Sequence, residues 1–423
     1  MQTSNEDGFR LVGTSVPAST TFLRLYQSDS MFRSSLDFAA IGLIVFLFVA
    51  PLPMPSLDWV TKTSVADQKT PTAQVAVPTP SNIAMAASPP VTNSPEKVRR
   101  EWFKLADPAI VSALNKAADE IDNRAGKSAI VTLEGIGRPD DPNVLNLSAY
   151  AAMLSRDKES ISSGFEFHLK AAKAGHPESM DQVGQMLRLG AGTRTNLAEA
   201  VDWYERGADA GSASAAINAG RAYANGWARP INHIKAHNYY RKAAEAGEPW
   251  GMHNFGAGFI NGNGIPRDAE LAREWIGKSA QAGLAAGQLS LAKLHRKGIG
   301  GPVDIDAFIK SAQAAVDQNF LPALYELGMF FLEPDDKRPA DLVRAANYLR
   351  QAAIKKYPKA QYAYATLCER GAGVQQNHIQ AFVYYSLALR GGEKAAEPRL
   401  EGLRSRMEAG DLKTAQKLVA ASS

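Results

Sequence analysis

The chain has only one cysteine, Cys368, among its 423 residues. A single cysteine cannot form an intrachain disulfide, and it excludes the paired-cysteine motifs of zinc and redox sites. The net charge is also small, because 47 Lys and Arg residues nearly balance 43 Asp and Glu residues and leave a formal net charge of +4. This excess is too small for the basic surface that binds nucleic-acid phosphates. The composition therefore disfavours a nucleic-acid partner, and it gives no indication of a cofactor.

Long apolar runs are rare as well. The one membrane candidate, FAAIGLIVFLFVA, has 13 uncharged residues from Phe38 to Ala50, and three prolines lie within the five residues after it. A helix of 13 residues rises roughly 20 Å, which is shorter than the ~30 Å hydrocarbon core and typical of the apolar part of a signal peptide. The run therefore predicts a membrane or export signal.

We interpret residues 38–55 as an uncleaved signal anchor in a single pass through the inner membrane, because no small-residue cleavage site follows directly. Three arginines precede the run, which favours a cytoplasmic segment at residues 1–37 and a periplasmic C-terminal domain. Several alternatives stay open: cleavage with release of the domain, translation from Met31, or a cytoplasmic chain in which the run is a buried helix.

Residues 56–95 are dominated by Ser, Thr, Pro, Ala and Val. Such a segment cannot bury enough apolar surface to offset the entropy lost on ordering, so we expect a disordered linker. As a coil of 40 residues it would span roughly 38 Å. The linker would hold the rest of the chain at a distance from the membrane.

A repeated pattern follows between residues 140 and 392. A small residue is followed by large residues three and four positions later and by small residues seven and eight positions later, as in AVDWYERGADAG. A second helical stretch precedes most copies, and successive copies are 35 to 38 residues apart. The copies start at Gly164, Ala200, Ala236, Ala272, Ala307, Ala345 and Ala381.

Two helices in about 36 residues predict stacked helix pairs, none of which can bury its apolar face alone. Glycine-containing loops such as RLGAGT, INGNGIPRD and ERGAGV join the two helices. With these loops, the pattern resembles the SEL-one-like repeat family, a tetratricopeptide-like class. We therefore expect an all-α, right-handed superhelical solenoid of about seven two-helix repeats over residues 140–392. Residues 96–139 and 393–423 are expected to form helical caps.

Few residues in the repeats suggest chemistry. His233 and His237 would lie on one helix face, but Ile234 stands where a hydrolytic zinc motif has glutamate, and no third ligand is near. The sequence therefore predicts a non-enzymatic protein without a metal or cofactor site. Four other residues occupy positions of core residues and are expected to be packed in the interior: His295, Cys368, Trp203 and Trp275.

The first helix of each repeat, called the A helix, carries a candidate partner-binding face; the second is called the B helix. At 100° per residue, the side opposite the predicted core row should be polar, yet several repeats place apolar or aromatic residues there. In related solenoids the A helix lines the concave side, so these residues would form a groove for partner proteins. Alternatively, neighbouring helices cover part of this row. The candidates are Ile217, Trp250, His253, Leu289, Tyr325, Met329 and Tyr362.

The family resemblance implies work as an adaptor. Bacterial members in the envelope assemble secretion or polysaccharide machinery, restrain sensor kinases or help to organise cell poles. We therefore expect a protein-binding scaffold on the periplasmic side of the inner membrane, with one or more proteins as partners and a membrane link through residues 38–55. Two alternatives remain: a cytoplasmic adaptor, and a periplasmic hydrolase of cell-wall-type substrates, as suspected for cysteine-rich relatives whose paired cysteines this chain lacks.

Overall fold

The computed structural model describes residues 101–262, 265–334 and 339–422. These residues form helices and connecting turns, with no strand in the described ranges. None of the helices in these ranges is long and apolar enough to cross a membrane. The predicted anchor at residues 38–55 and the linker at residues 56–95 lie outside the described residues.

The first helices precede the repeats. A short 3-10 helix, Glu101–Leu105, is followed by α1 (Pro108–Asp122) and α2 (Gly126–Glu134). Their apolar faces meet α3 in one cluster, in which Leu114, Ile121 and Leu147 are fully buried.

Seven helix pairs come next, each an A helix followed by a B helix. All seven predicted B-helix starts fall inside the second helix of a pair, so the prediction of an all-α chain of about seven two-helix repeats is confirmed. Two helices, α17 (Ala396–Arg404) and α18 (Ala409–Ala421), follow the last pair. The pairs are α3 (Pro142–Met153) with α4 (Lys158–Lys173), α5 (Pro177–Leu189) with α6 (Leu197–Asp209), α7 (Ala213–Asn225) with α8 (His233–Glu245), α9 (Pro249–Asn261) with α10 (Ala269–Gln281), α11 (Ala285–Lys297) with α12 (Ile305–Asp317), α13 (Leu321–Leu332) with α14 (Leu342–Ile354), and α15 (Pro358–Arg370) with α16 (His378–Arg390).

The described residues belong to two compact units, with the boundary between Leu349 and Arg350. The first unit contains α1 to α13 and the start of α14, and the second contains the end of α14 and the helices after it. Each unit has its own buried aromatic residues. They include Tyr204, Tyr240, Phe308 and Phe330 in the first unit, and Tyr364 and Tyr385 in the second.

Local signals fix where the helices begin and end. The B helices from α6 onward start after an Asn or Asp whose side chain accepts a hydrogen bond, 2.8 to 3.2 Å long, from the backbone N–H three residues later. Such a cap stabilises a helix by about 1 kcal/mol. Five A helices end at a glycine with φ between 64° and 72°, a conformation that glycine adopts without steric cost. The B-helix caps are Asn196, Asn232, Asp268, Asp304, Asp341 and Asn377.

The two helices of a pair approach most closely at a glycine of the A helix. A Cβ atom at Gly256 would lie 2.8 Å from the Cγ1 atom of Ile276 and 3.0 Å from the carbonyl oxygen of Ala272. A side chain at this position would therefore clash with the partner helix. At the same position of α5 and α7, a Cβ on Gly184 or Gly220 would lie 2.6 Å from a ring atom of Tyr204 or Tyr240, respectively.

Candidate partner-binding face

The seven predicted partner-binding residues differ in exposure. Three of them are buried, with Ile217 and Leu289 exposed by 6% each and His253 by 1%. For these three residues the structure agrees with the alternative, that neighbouring helices cover part of the row. In the first unit, Trp250, Tyr325 and Met329 are half-buried, and in the second unit Tyr362 is half-buried and lies 5.5 Å from the ring of Tyr385.

The three residues are buried because successive A helices pack side by side. The Nε2 atom of His253 in α9 lies 2.9 Å from the hydroxyl oxygen of Ser290 in α11. One repeat earlier, the Asn218 amide in α7 donates a 2.7 Å hydrogen bond to the carboxylate of Asp181 in α5. Part of the row that a single-helix projection places opposite the core therefore lies at the interface between neighbouring A helices.

Trp250 is held partly inside this interface. It packs against a buried cluster that includes Ala216 and Ile217. Its ring lies 5.9 Å from the ring of His253, and the Arg221 guanidinium carbon is 5.9 Å from its centroid. Trp250 therefore contributes both to packing and to the partly open surface.

The basic residues of this face fall into two groups. Toward the end of the first unit, the ammonium group of Lys293 lies 3.1 Å from the carboxylate of Glu326, and Arg296 lies 3.2 Å from Glu333. In α5 and α7, by contrast, neither Arg188 nor Arg221 forms an ion pair with a carboxylate within the described ranges. The positive charges of Arg188 and Arg221 are therefore less neutralised than those of Lys293 and Arg296.

The guanidiniums of Arg188 and Arg221 each lie next to a tryptophan. The Arg188 guanidinium carbon is 5.4 Å from the ring centroid of Trp227, and Arg221 donates a long hydrogen bond of 3.5 Å to the side-chain Oδ1 atom of Asn218. Burial is the largest influence on the pKa of Arg221 and lowers it, and the like charge of Arg188 acts in the same direction, against the attraction of Asp181. Arg221 therefore lies close enough to the second half-buried arginine, Arg188, and to the buried carboxylate of Asp181 for their charges to interact.

The other residues singled out from the sequence have mixed surroundings. Cys368 is fully buried, and burial raises its pKa to about 11, so the thiol stays protonated at neutral pH. Trp203 is buried as predicted, whereas Trp275 is only half-buried. The prediction for His295 is wrong: the ring is half-buried rather than in the core, and its Nδ1 atom lies 2.5 Å from the Arg273 guanidinium.

Packing against aromatic rings occupies one histidine of the HIKAH pair. His237 lies against two aromatic rings, with its centroid 4.4 Å from that of Phe255 and 5.0 Å from that of Phe259. Over the described ranges, no group of three or more His, Cys, Asp or Glu side chains is placed to hold a metal ion.

A buried polar cluster between α3, α4 and α5 was missed from the sequence. The Ser179 hydroxyl donates a 2.8 Å hydrogen bond to the side-chain Oδ1 atom of Asn146. The His176 side chain caps α5 by accepting a 3.2 Å hydrogen bond from the Ser179 backbone N–H. The Nδ1 atom of His168 lies 3.5 Å from the same hydroxyl. A histidine directly before a proline at the helix start was the available signal for the cap, but His168 and Asn146 come from other helices.

The Sel1 repeat matches seven segments that together make up more than half of the chain: residues 151–176, 177–212, 213–248, 252–284, 285–307, 321–357 and 358–393. The chain belongs to the Sel1 repeat family. Sel1 repeats generally mediate protein–protein interactions, and their proteins are generally non-enzymatic scaffolds.

Two solved structures share the fold of this Sel1 repeat protein. One is c5321, a protective antigen of uropathogenic Escherichia coli with an SLR fold, which is 24% identical and has a TM-score of 0.55 over 77% of this chain and 72% of its own. The other is a Sel1 repeat protein from Oxalobacter formigenes, which is 21% identical and has a TM-score of 0.52 over 76% of this chain and 98% of its own. No curated protein matches the chain.

Proposed function

We propose that this Sel1 repeat protein is a non-enzymatic scaffold that binds one or more partner proteins on the A-helix face of its first unit. The observation that carries the proposal is the group of half-buried Arg and Trp residues on and beside α5, α7 and α9. Arginine and tryptophan are enriched among the residues that dominate binding at protein interfaces. The residues are Arg188, Arg221, Trp227 and Trp250.

Photo-crosslinking in producing cells tests which face is used. Benzoylphenylalanine replaces Gln185 or Met329, which are half-buried on A helices, or Arg241 or Glu274, which are exposed on B helices. We expect crosslinks to another protein from the two A-helix positions and not from the two B-helix positions. Crosslinks only from the B helices, or none from either face, would contradict the proposal.

We also propose that the repeats act on the periplasmic side of the inner membrane, anchored through residues 38–55 and extended by residues 56–95. The apolar run and the three arginines before it support this location. A reporter that is active only in the periplasm, fused after Pro95, should be active. Activity of a cytoplasm-only reporter at the same position would instead favour the cytoplasmic adaptor.

A further inference from the structure

The second unit contains a carboxylate held by a tyrosine and two arginines. Glu369, at the end of α15, is 7% exposed, and one of its carboxylate oxygens accepts a 2.9 Å hydrogen bond from the Tyr385 hydroxyl. Arg406 donates to the other oxygen at 2.7 Å, and Arg399 lies 3.9 Å away. Burial acts to raise the pKa of Glu369, but the bonds from Arg406 and Tyr385 outweigh it and lower the pKa. This surrounding therefore stabilises a negative charge.

The repeat formed by α5 and α6 has the same tyrosine but not the acid. Tyr204 occupies the position of Tyr385 in the B-helix pattern, and Arg188 occupies the position of Glu369 at the end of the A helix. Tyr204 is fully buried, and its ring crosses α5 at Gly184, where a side chain would clash. The glycine therefore lets the hydroxyl reach the neighbourhood of Arg188.

The next repeat has the same tyrosine and glycine, but its arginine lies three positions earlier in the A helix. Tyr240, which is 1% exposed, crosses α7 at Gly220, next to Arg221. Within the described ranges, the Tyr240 hydroxyl has no hydrogen-bond partner. The Tyr204 hydroxyl faces the Arg188 guanidinium, which can only donate, so the hydroxyl proton of Tyr204 has no acceptor either. A buried donor without an acceptor is unfavourable, so two such groups at equivalent positions need an explanation.

The acid nearest to these groups is already engaged. The two carboxylate oxygens of Asp181 accept hydrogen bonds from Asn218 at 2.7 Å and from Gln185 at 2.9 Å. Its charge acts on both Arg221 and Tyr204, but one carboxylate faces two guanidiniums. The location therefore keeps a net positive charge and has donors for a further acceptor.

We propose that Arg188, Arg221, Tyr204 and Tyr240 form a carboxylate-binding site that takes an aspartate or glutamate side chain of the partner polypeptide. The site rests on the proposed scaffold function and identifies the chemistry that the A-helix face recognises. The two guanidiniums supply charge-assisted hydrogen bonds, and the two hydroxyls supply donors that have no acceptor in the free chain. Trp227 and Trp250 flank the cations and provide apolar contact for the residues on either side of the acid.

A peptide selection tests the site on the full-length chain in detergent micelles. The probe is a library of end-capped nonapeptides, randomised around a central Glu, Gln, Lys or phosphoserine. We expect Glu-centred peptides to be enriched at least tenfold over Gln-centred ones. The R188Q/R221Q variant should lose this preference, whereas the control K293Q/R296Q should keep it, because the latter cations already pair with Glu326 and Glu333.

A second variant separates binding from folding. Y204F/Y240F removes two hydroxyls whose protons have no acceptor in the free chain, so its circular dichroism should be unchanged while its affinity for a selected Glu-centred peptide falls severalfold. Equal enrichment of Glu and Gln, or a Glu preference that survives in R188Q/R221Q, would overturn the carboxylate site and leave the scaffold proposal standing. A dominant preference for phosphoserine would also overturn it, in favour of a phosphate site. Failure to select any peptide would count against the scaffold function itself.

Discussion

Two tyrosines at equivalent positions of the repeat have opposite hydrogen-bonding states. Tyr385 donates to the buried carboxylate of Glu369, whereas the Tyr240 hydroxyl has no partner in the described part of the chain. Loss of a hydrogen bond to a charged group costs about 1.5–3 kcal/mol, while removal of an unpaired buried hydroxyl costs little or is stabilising. We therefore expect Tyr385→Phe to lower the free energy of unfolding by about 2 kcal/mol and Tyr240→Phe to leave it unchanged or raised. Urea unfolding of both variants checks this, and equal losses would contradict the assignment.

The buried histidines predict a dependence of stability on pH. Burial lowers the pKa of His168 from 6.5 to about 3 and that of His176 to about 4. Below pH 6.5 the unfolded chain binds protons that the folded chain does not, so the folded state loses stability as the pH falls from about 6.5 toward 4. The loss is on the order of 1 kcal/mol per pH unit for each histidine.

The matched variants are His168→Gln and His378→Gln, because His168 is fully buried and His378 is half-buried at the start of α16. Urea unfolding between pH 4 and pH 8 should give a shallower slope for His168→Gln than for the parent chain. The His378→Gln slope should match that of the parent. An identical slope in all three chains would show that His168 is protonated in the folded state.

At the scale of the helix pair, Gly256 and Gly277 provide a matched comparison. Both are helical, but a Cβ at Gly256 would lie 2.8 Å from a side-chain atom and 3.0 Å from a backbone oxygen, whereas a Cβ at Gly277 would have nothing within 4 Å. Gly256→Ala should therefore destabilise the fold by about 1–3 kcal/mol through overpacking. Gly277→Ala should stabilise it by about 0.5–1 kcal/mol, because alanine favours the helix. Thermal melts measure both effects, and a stabilising Gly256→Ala would refute the close approach.

The helix pairs could be predicted from the sequence because each depends on a local pattern. The repeat period located the B helices, because all seven predicted starts fall inside them. The burial of Ile217, His253 and Leu289 could not be predicted in this way, since it depends on how closely neighbouring A helices pack side by side. A projection of one helix contains no information about the distance to the next.

The carboxylate site was missed for a similar reason. The relevant signal is a tyrosine in the B helix combined with a glycine in the preceding A helix, as in Tyr204 with Gly184 and Tyr240 with Gly220. Each residue alone fits the repeat pattern and suggests only packing. The structure shows that the ring passes the glycine and reaches the arginines on the A helices.

At the scale of the whole molecule, the described helices and their buried clusters all lie after residue 100. We therefore predict that deletion of residues 1–55 yields a soluble chain with helical circular dichroism and a cooperative melt. The full-length chain in detergent micelles is the control. Loss of helical signal or of cooperative melting in the truncated chain would show that the first 55 residues are needed for folding.

Partners are proposed to bind the A-helix face of the first unit through Arg188 and Arg221. Benzoylphenylalanine at position 185, one helical turn before Arg188, tests this binding through the yield of its crosslink in cells that produce the full-length chain. We expect a strong crosslink to another protein in the parent background to fall at least tenfold in the R188Q/R221Q background at equal protein level. An undiminished crosslink in that background would show that the two arginines do not hold the partner.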